Sequence, residues 1–216
     1  MKPIVIFDAY GTLFKLNVDN DELDSILGDI KTNFFDTWRR KLLEYSWLTS
    51  LASQWHDFDT IINKALKFSC QTFDIDSEKV SPILMDIYRH PILFDDAKHL
   101  LENNDFTACI LSNGVKAVLQ NAVSANHIDQ RIDAIFSASD VQCFKVSPQL
   151  YRLVTSHYNI GPTNILFVSS NSWDITGASM FGYSTVWVNR EKRIFDTLVD
   201  TPDYVVESLE EIVNLL

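Results

Sequence analysis

Basic residues are scarce in this chain. Its 18 lysines and arginines are outnumbered by 29 aspartates and glutamates, which gives a formal net charge of −11 at pH 7. Nucleic-acid binding requires a basic surface that releases counterions, so the composition argues against a nucleic-acid partner. An anionic substrate would meet an unfavourable overall field and would need local positive charge to gather it. The run Arg39-Arg40-Lys41 is the candidate for that charge.

Long apolar runs, paired cysteines and common binding motifs are also lacking. No apolar run approaches the ~20 residues that span a bilayer, so we expect no membrane association. A strand starts almost at the first residue, so we expect no signal peptide. The three cysteines (Cys70, Cys109 and Cys143) are scattered, which favours reduced thiols and a cytoplasmic location. There is no G-x-G-x-x-G and no Cys/His spacing typical of zinc, so neither a dinucleotide nor zinc is predicted.

An uninterrupted apolar run is the first positive signal. Residues 4–7 read Ile-Val-Ile-Phe and lead into Asp8, and Gly11 then lets the chain turn. Such a run is typical of a strand buried on both faces of a parallel sheet. A carboxylate at the carboxyl end of a central strand lies where open α/β sheets bind their ligands. For Asp8 alone, a structural role in the turn would be the simpler interpretation.

The rest of the chain divides into a helical insert and an alternating part. Helical spacing predicts helices over 19–27, 31–51, from Asp57 or Asp59 to 73, and 77–88. Apolar runs predict strands over 107–111, 134–138, 164–168, 184–188 and 204–206, with helix starts at Ser147 and Ser208. We therefore predict an α/β fold: a Rossmann-like, mostly parallel sheet domain (1–15 and 93–216) with an inserted helical cap (16–92).

Polar side chains follow three of the predicted strands directly. They are Asp8, the pair Ser112-Asn113 and the stretch 169–174. The carboxyl ends of parallel strands share one edge of the sheet, so these side chains should converge on one crevice. Turn formation explains any one of them, but three together beside a carboxylate favour a site.

Four motifs in this order resemble the haloacid dehalogenase superfamily, in its 2-haloacid dehalogenase branch. They are D-A-Y-G-T-L-F at 8–14, L-S-N-G at 111–114, Lys145 followed by Tyr151, and S-S-N-S-W-D at 169–174. The resemblance covers nearly the whole chain. It implies the fold predicted above and a homodimer, for which the aromatic-rich cap could supply the interface.

The residues at two positions separate the activities known in this superfamily. Related phosphatases use a second Asp, two residues after the nucleophile, to protonate the leaving alkoxide; here that residue is Tyr10, which is too weak an acid. They also bind Mg²⁺ with acidic residues of the last motif, where Ser170 replaces one carboxylate. A halide leaves without a proton, and Lys145 can hold Asp8 ionised unless it is merely a surface lysine. We therefore expect neither a metal nor a cofactor.

The resemblance implies a role for each residue at a matching position. Asp8 corresponds to the nucleophile that attacks C2 of a 2-haloalkanoate and inverts it. Asp174 corresponds to the residue that positions or deprotonates the water for ester hydrolysis, and Arg39 and Asn113 to the pair that binds the halide. The polar network around the nucleophile consists of Thr12, Lys145, Tyr151, Ser169 and Asn171.

The same resemblance implies the substrate contacts. Ser112 and the turn after Asp8 would bind the substrate carboxylate. The pocket for the alkyl group would be lined by Tyr10, Leu43, Phe58 and Trp173. Core packing explains those four side chains equally well. For Arg40 and Lys41 a solvated helix face is the favoured interpretation.

The predicted function is hydrolysis of (S)-2-haloalkanoic acids to (R)-2-hydroxyalkanoic acids through an aspartyl ester. The alternatives are a Mg²⁺-dependent phosphatase of the same superfamily and a non-catalytic relative that binds small carboxylates. The chain departs from the family pattern at Lys15, Arg40 and Val146, where Asp, Gln and Pro are usual. None of these departures removes a residue assigned to the chemistry.

Overall fold

The computed structural model describes residues 2–102, 105–199 and 201–216. Its first half contains β1 (Ile4–Phe7), β2 (Phe14–Lys15), α1 (Asp21–Leu27), α2 (Lys31–Leu51), α3 (Phe58–Thr72), α4 (Ser77–Arg89), β3 (Ile92–Leu93) and α5 (Asp95–Glu102). Its second half contains β4 (Thr107–Ser112), α6 (Lys116–Ala125), β5 (Ala134–Ser137), α7 (Pro148–Tyr158), β6 (Ile165–Ser169), α8 (Ser172–Phe181), β7 (Ser184–Val188), β8 (Tyr204–Val206) and a final 3₁₀ helix (Leu209–Leu215).

β1 lies inside a six-stranded sheet with the strand order β5-β4-β1-β6-β7-β8. All neighbouring pairs are parallel. Ile4 and Ile6 pack into the apolar cluster on one side of the sheet, and Val5 and Phe7 pack into the cluster on the other. Burial on both faces explains why this strand has no polar alternation. The predicted α/β fold with a parallel sheet is confirmed.

A short antiparallel pair lies at the two ends of the predicted helical insert. β2 pairs with β3, with Phe14 opposite Leu93 and Lys15 opposite Ile92. Helices α1 to α4 lie between these two strands in sequence. The division into a sheet domain and a cap stays a prediction, and the position of this pair next to its boundaries supports it. The sequence analysis did not predict the pair, because two-residue strands carry no periodicity.

Local capping explains where several elements differ from the predicted ones. α1 begins at Asp21, two residues later than predicted, because the Asn20 side chain accepts hydrogen bonds from the first-turn N–H groups. Asp57, rather than Asp59, caps α3 by accepting from Thr60 N at 2.7 Å. β5 ends at Ser137, since that residue caps the 3₁₀ turn that begins at Ala138. β6 starts one residue later than predicted and includes Ser169.

Two predicted helix starts are confirmed. Ser147 caps α7, with Pro148 as its first residue. Ser208 and Glu211 form a capping box, although the helix it opens is 3₁₀ rather than α. Within the three described ranges, no helix combines the length and apolar character that crossing a bilayer requires.

The close approach of α8 to its neighbours gives a test of the packing. A methyl group added at Gly177 would lie 2.5 Å from Val146 Cγ1 and 2.6 Å from Tyr151 Oη. We expect Gly177→Ala to lower the free energy of unfolding by about 1–3 kcal/mol in urea titrations, because overpacking outweighs the better helix propensity of alanine. Gly161→Ala is the control, since its methyl would make an ordinary 3.7 Å contact. Equal stability of the two variants would contradict this packing.

Candidate active site

Three neighbouring strands bring their carboxyl ends together at the sheet edge. Asp8 directly follows β1, Ser112 ends β4 and Ser169 ends β6. β4 and β6 flank β1 in the sheet, so residues more than 100 positions apart in sequence become neighbours. The convergence predicted from the strand ends is therefore observed.

The Asp8 carboxylate is buried and hydrogen-bonded at both oxygens. Its Oδ2 accepts from Thr12 Oγ1 at 3.2 Å, Ser169 Oγ at 3.3 Å and Asn171 Nδ2 at 2.8 Å. Its Oδ1 accepts from Lys145 Nζ at 2.9 Å. Oδ2 is thus held by three donors, whereas Oδ1 has one partner and keeps lone-pair capacity for a reacting atom.

Lys145 is fully buried between two carboxylates, so the surface interpretation is wrong. Its Nζ lies 2.9 Å from Asp8 Oδ1 and 2.6 Å from Asp174 Oδ2. Burial lowers the pKa of this ammonium, but the two carboxylates together more than offset that effect, so its pKa lies above the usual value. Lys145 therefore stays protonated and supplies a permanent positive charge to the site.

Asp174 combines full burial with two donors. Tyr151 Oη donates to Asp174 Oδ1 at 2.8 Å, and Lys145 donates to Oδ2. Burial raises the pKa of Asp174 to about 6, with Lys145 opposing the shift and Asp8 adding to it. A carboxylate with that pKa is mostly ionised at pH 7 and can accept a proton.

The donor set does not suit Mg²⁺. The magnesium sites of this superfamily use oxygens of the nucleophile and of acidic residues in the last motif. Here the Lys145 ammonium lies between the Asp8 and Asp174 carboxylates, and Ser170 supplies only a hydroxyl. Among residues 2–102, 105–199 and 201–216, no three His, Cys, Asp or Glu side chains cluster as metal ligands would.

Arg39 reaches from α2 to the sheet domain. Its Nη2 donates to Asn171 Oδ1, and the other end of that amide donates to Asp8. Partial burial and the nearby Arg193 lower the pKa of Arg39, against the opposing effect of Asp8. Arg39 is nevertheless exposed as a residue, although its guanidinium is bonded to Asn171.

Ser112, the last residue of β4, and Asn113, which follows it, were predicted to contact the substrate carboxylate and the halide. Lys145 N donates to Asn113 Oδ1 at 2.8 Å, which fixes the amide orientation and leaves the Nδ2 donors directed elsewhere. Ser112 Oγ accepts from Gly114 N at 3.1 Å and keeps its own proton for another acceptor. Both side chains are buried.

The four side chains predicted to line the alkyl pocket have different neighbours in the structure. Tyr10 stacks on Tyr88 with ring centroids 4.6 Å apart, and Phe58 lies 5.9 Å from the same ring. Trp173 contacts Trp47 of α2 at 6.0 Å. Leu43 is half-buried on α2, one turn after Arg39 and therefore on the same face.

Two neighbours of Arg39 have different surroundings. Arg40 is exposed, as the solvated-face interpretation predicts. The same prediction is wrong for Lys41, whose Nζ lies 4.6 Å from the centroid of the Phe68 ring and 2.9 Å from Glu44. The long aliphatic part of a lysine can cover apolar surface in this way.

Arg190 borders the candidate site, and the sequence analysis missed it. It forms two 2.9 Å hydrogen bonds to Asp96 and donates to the backbone oxygens of Gly11 and Thr12 at 3.0 Å each. It thereby fastens the turn that follows Asp8. Its position soon after an apolar strand, β7, was the available signal, because the same rule identified Asp8 and Ser112.

Comparisons with known proteins agree on one family. Residues 3–182 match the model of the haloacid dehalogenase-like hydrolases. The chain is 33% identical over 215 residues to an (S)-2-haloacid dehalogenase of Pseudomonas fluorescens, covering 98% of this chain and 95% of that one. It is 32% identical to a crystal structure of a dehalogenase with an intermediate complex, covering 100% and 97% of the chains with a TM-score of 0.93. An L-2-haloacid dehalogenase from Xanthobacter autotrophicus, with chloropropionic acid covalently bound, is 29% identical over 100% and 98% of the chains, with a TM-score of 0.89.

Tyr151 offers a test of the electrostatics around Asp174. Its hydrogen bond favours the ionised carboxylate and so lowers the pKa of Asp174. Tyr151→Phe should therefore raise that pKa above its value of about 6, as measured by NMR titration of ¹³C-labelled carboxyl groups.

Tyr183→Phe is the matched control for this titration. Tyr183 is a buried neighbour whose hydroxyl donates to the backbone oxygen of Tyr151 rather than to a carboxylate. It should leave the titration of Asp174 unchanged. A downward shift in Tyr151→Phe, or equal shifts in both variants, would refute the assignment.

Proposed function

The chain belongs to the haloacid dehalogenase-like hydrolase family, and we propose that it hydrolyses (S)-2-haloalkanoic acids to (R)-2-hydroxyalkanoic acids. The reaction passes through an ester of Asp8 and inverts C2. The observation that carries the proposal is the state of Asp8, a buried carboxylate whose Oδ2 is bound by three donors and whose Oδ1, among the described residues, is bound by Lys145 alone.

In the first step, Asp8 Oδ1 attacks C2 from the side opposite the halogen. The new C–O bond forms as the carbon–halogen bond breaks, and the electron pair of that bond leaves with the halide. Because a halide is a stable anion, its departure needs no proton. This agrees with Tyr10, where related phosphatases have an aspartate that donates a proton. Arg39 and Asn113 bind the departing halide, and a site with little water strengthens those charge contacts.

In the second step, water attacks the carbonyl carbon of the Asp8 ester. Asp174 accepts the proton of that water, for which its pKa of about 6 is suitable. The bond between the Asp8 carbonyl carbon and the substrate oxygen then breaks, and Asp174 gives its proton to the departing alkoxide, which leaves as the 2-hydroxy acid. The Asp8 carboxyl, now with an oxygen from the water, loses the remaining proton to solvent and is regenerated as a carboxylate. Tyr151 and Lys145 hold Asp174 in place, while Thr12, Ser169 and Asn171 keep the Asp8 side chain oriented.

Substrate contacts follow from the same geometry. Ser112, with the turn after Asp8, binds the substrate carboxylate. The alkyl group packs against Tyr10, Leu43, Phe58 and Trp173. The ring contacts that Tyr10 and Phe58 make with Tyr88 support an apolar wall there.

A single turnover in H₂¹⁸O with excess enzyme tests the ester intermediate. With (S)-2-chloropropionate, one equivalent of chloride should be released and ¹⁸O should appear in the peptide that contains Asp8. The label enters Asp8 because water attacks the ester carbonyl, not C2. Mass spectrometry of the digested protein and of the product measures both sites.

Label found only in the product would overturn the ester mechanism. Asp8→Asn should abolish chloride release, and the (R)-enantiomer should be a poor substrate. Turnover of p-nitrophenyl phosphate that EDTA abolishes would favour the phosphatase alternative. Binding of 2-haloacids without any turnover would favour a carboxylate-binding protein.

We also propose a homodimer in which the end of α2 forms part of the interface. Leu48 and Leu51, one turn apart on that helix, are 54% and 84% exposed. Light scattering should give twice the monomer mass of 24.8 kDa. Replacing both leucines with glutamate should yield monomers, whereas Ile194→Glu, at a residue 94% exposed elsewhere, should not. A monomeric parent protein would contradict this proposal.

A cytoplasmic location is proposed on the chemistry of the cysteines. Cys70, Cys109 and Cys143 are free thiols. Burial raises the pKa of Cys109 to about 12, so this thiol is unreactive. A reducing compartment keeps cysteines of this kind as free thiols.

A further inference from the structure

Tyr88 contacts both Tyr10 and Phe58 of the proposed alkyl pocket, although it lies in none of the sequence motifs. It lies near the end of α4 and is 3% exposed. Its ring stacks on Tyr10 at 4.6 Å with an interplanar angle of 22°, and it lies 5.9 Å from the Phe58 ring. Tyr88 therefore joins the two side chains proposed to contact the alkyl group of the substrate.

The hydroxyl of Tyr88 is buried, and no polar atom of the described residues forms a hydrogen bond with it within 3.5 Å. The neighbouring Tyr10 hydroxyl donates instead to the backbone oxygen of Tyr88, at 3.4 Å. Leaving a buried hydroxyl unpaired is costly, and most such groups in proteins are paired, so this one calls for a partner from outside the chain.

The hydroxyl faces the turn that carries the proposed substrate contacts. A methyl group built on Gly114 would lie 3.1 Å from Tyr88 Oη and 3.1 Å from Tyr10 Cε2. Gly114 directly follows Ser112 and Asn113, and its N–H donates to Ser112 Oγ at 3.1 Å. A side chain larger than glycine would fill the space beside the hydroxyl, so glycine keeps that space open.

We propose that Tyr88 is a further substrate-binding residue, whose hydroxyl donates a hydrogen bond to the carboxylate of the bound 2-haloacid. This inference rests on the proposed function. Burial, reinforced by Tyr10, raises the pKa of Tyr88 well above its usual value, so the hydroxyl stays protonated and acts as a donor. The carboxylate is the natural acceptor, because Ser112 on the facing turn is assigned to the same group. The substrate carboxylate would then be bound by the hydroxyls of Ser112 and Tyr88 together with the turn after Asp8.

Tyr88→Phe is the direct test, since it removes one oxygen and keeps the aromatic stack. The KM for (S)-2-chloropropionate should rise about tenfold or more while kcat changes little, because the lost contact is made equally in the ground and transition states. The melting temperature should stay the same or rise, since no protein hydrogen bond is lost. Tyr204→Phe, on the surface-exposed β8, is the matched control and should change neither value.

Binding of propionate provides a readout that does not depend on turnover. Calorimetry should show that the parent protein binds this inert carboxylate and that Tyr88→Phe binds it about tenfold more weakly. A parent that binds no propionate, or a variant that binds it equally well, would overturn the role of Tyr88. An unchanged KM would do the same while leaving the dehalogenase proposal intact.

A parent that releases no halide from any 2-haloacid would instead refute the proposed function, and propionate binding would still decide the role of Tyr88. A lower melting temperature with unchanged propionate binding would mean that the hydroxyl serves packing only. The two ideas therefore fail by different measurements.

Discussion

The buried contact of the Lys145 ammonium with Asp8 and Asp174 is the constraint on which the site depends. Two carboxylates this close and this buried would repel one another and take up a proton without a cation between them. Lys145 also donates its backbone N–H to Asn113 and lies 5.2 Å from the Phe167 ring. One residue thus bridges Asp8, Asp174 and Asn113 and offsets part of the charge of the two carboxylates.

Around that contact, the predicted sheet domain and the predicted cap contribute different side chains. The Asp8 carboxylate and its donors Thr12, Lys145, Ser169 and Asn171 all belong to the predicted sheet domain. The cap supplies Arg39 and the aromatic side chains Phe58 and Tyr88. Few hydrogen bonds tie the two parts together at this point; examples are Arg39 to Asn171 and Phe144 N to Ser50 Oγ. In the proposed mechanism, the reacting groups therefore lie at the strand ends, and the helices add substrate contacts.

Several features were predictable because they depend on neighbouring residues. The apolar run at β1, the helical spacing of α2 and the Ser147-Pro148 helix start are local signals, and each corresponds to an element in the structure. The order of the motifs also predicted that Asp8, Lys145 and Asp174 would meet. Element ends were less predictable, since one capping side chain such as Asn20 outweighs the periodicity beside it.

The sequence by itself determined the parallel α/β fold and the chemical character of the proposed nucleophile, because strand burial and residue identity do not depend on distant contacts. Only the tertiary structure decided which long-range partners complete the site. Arg190 fastens the Asp8 turn from 179 positions away, and Tyr88 points its hydroxyl at a turn from another part of the chain. The packing of Lys41 over the Phe68 ring was likewise decided by the tertiary structure. Single charged and aromatic residues carry no periodic signal, so folding alone reveals what they face.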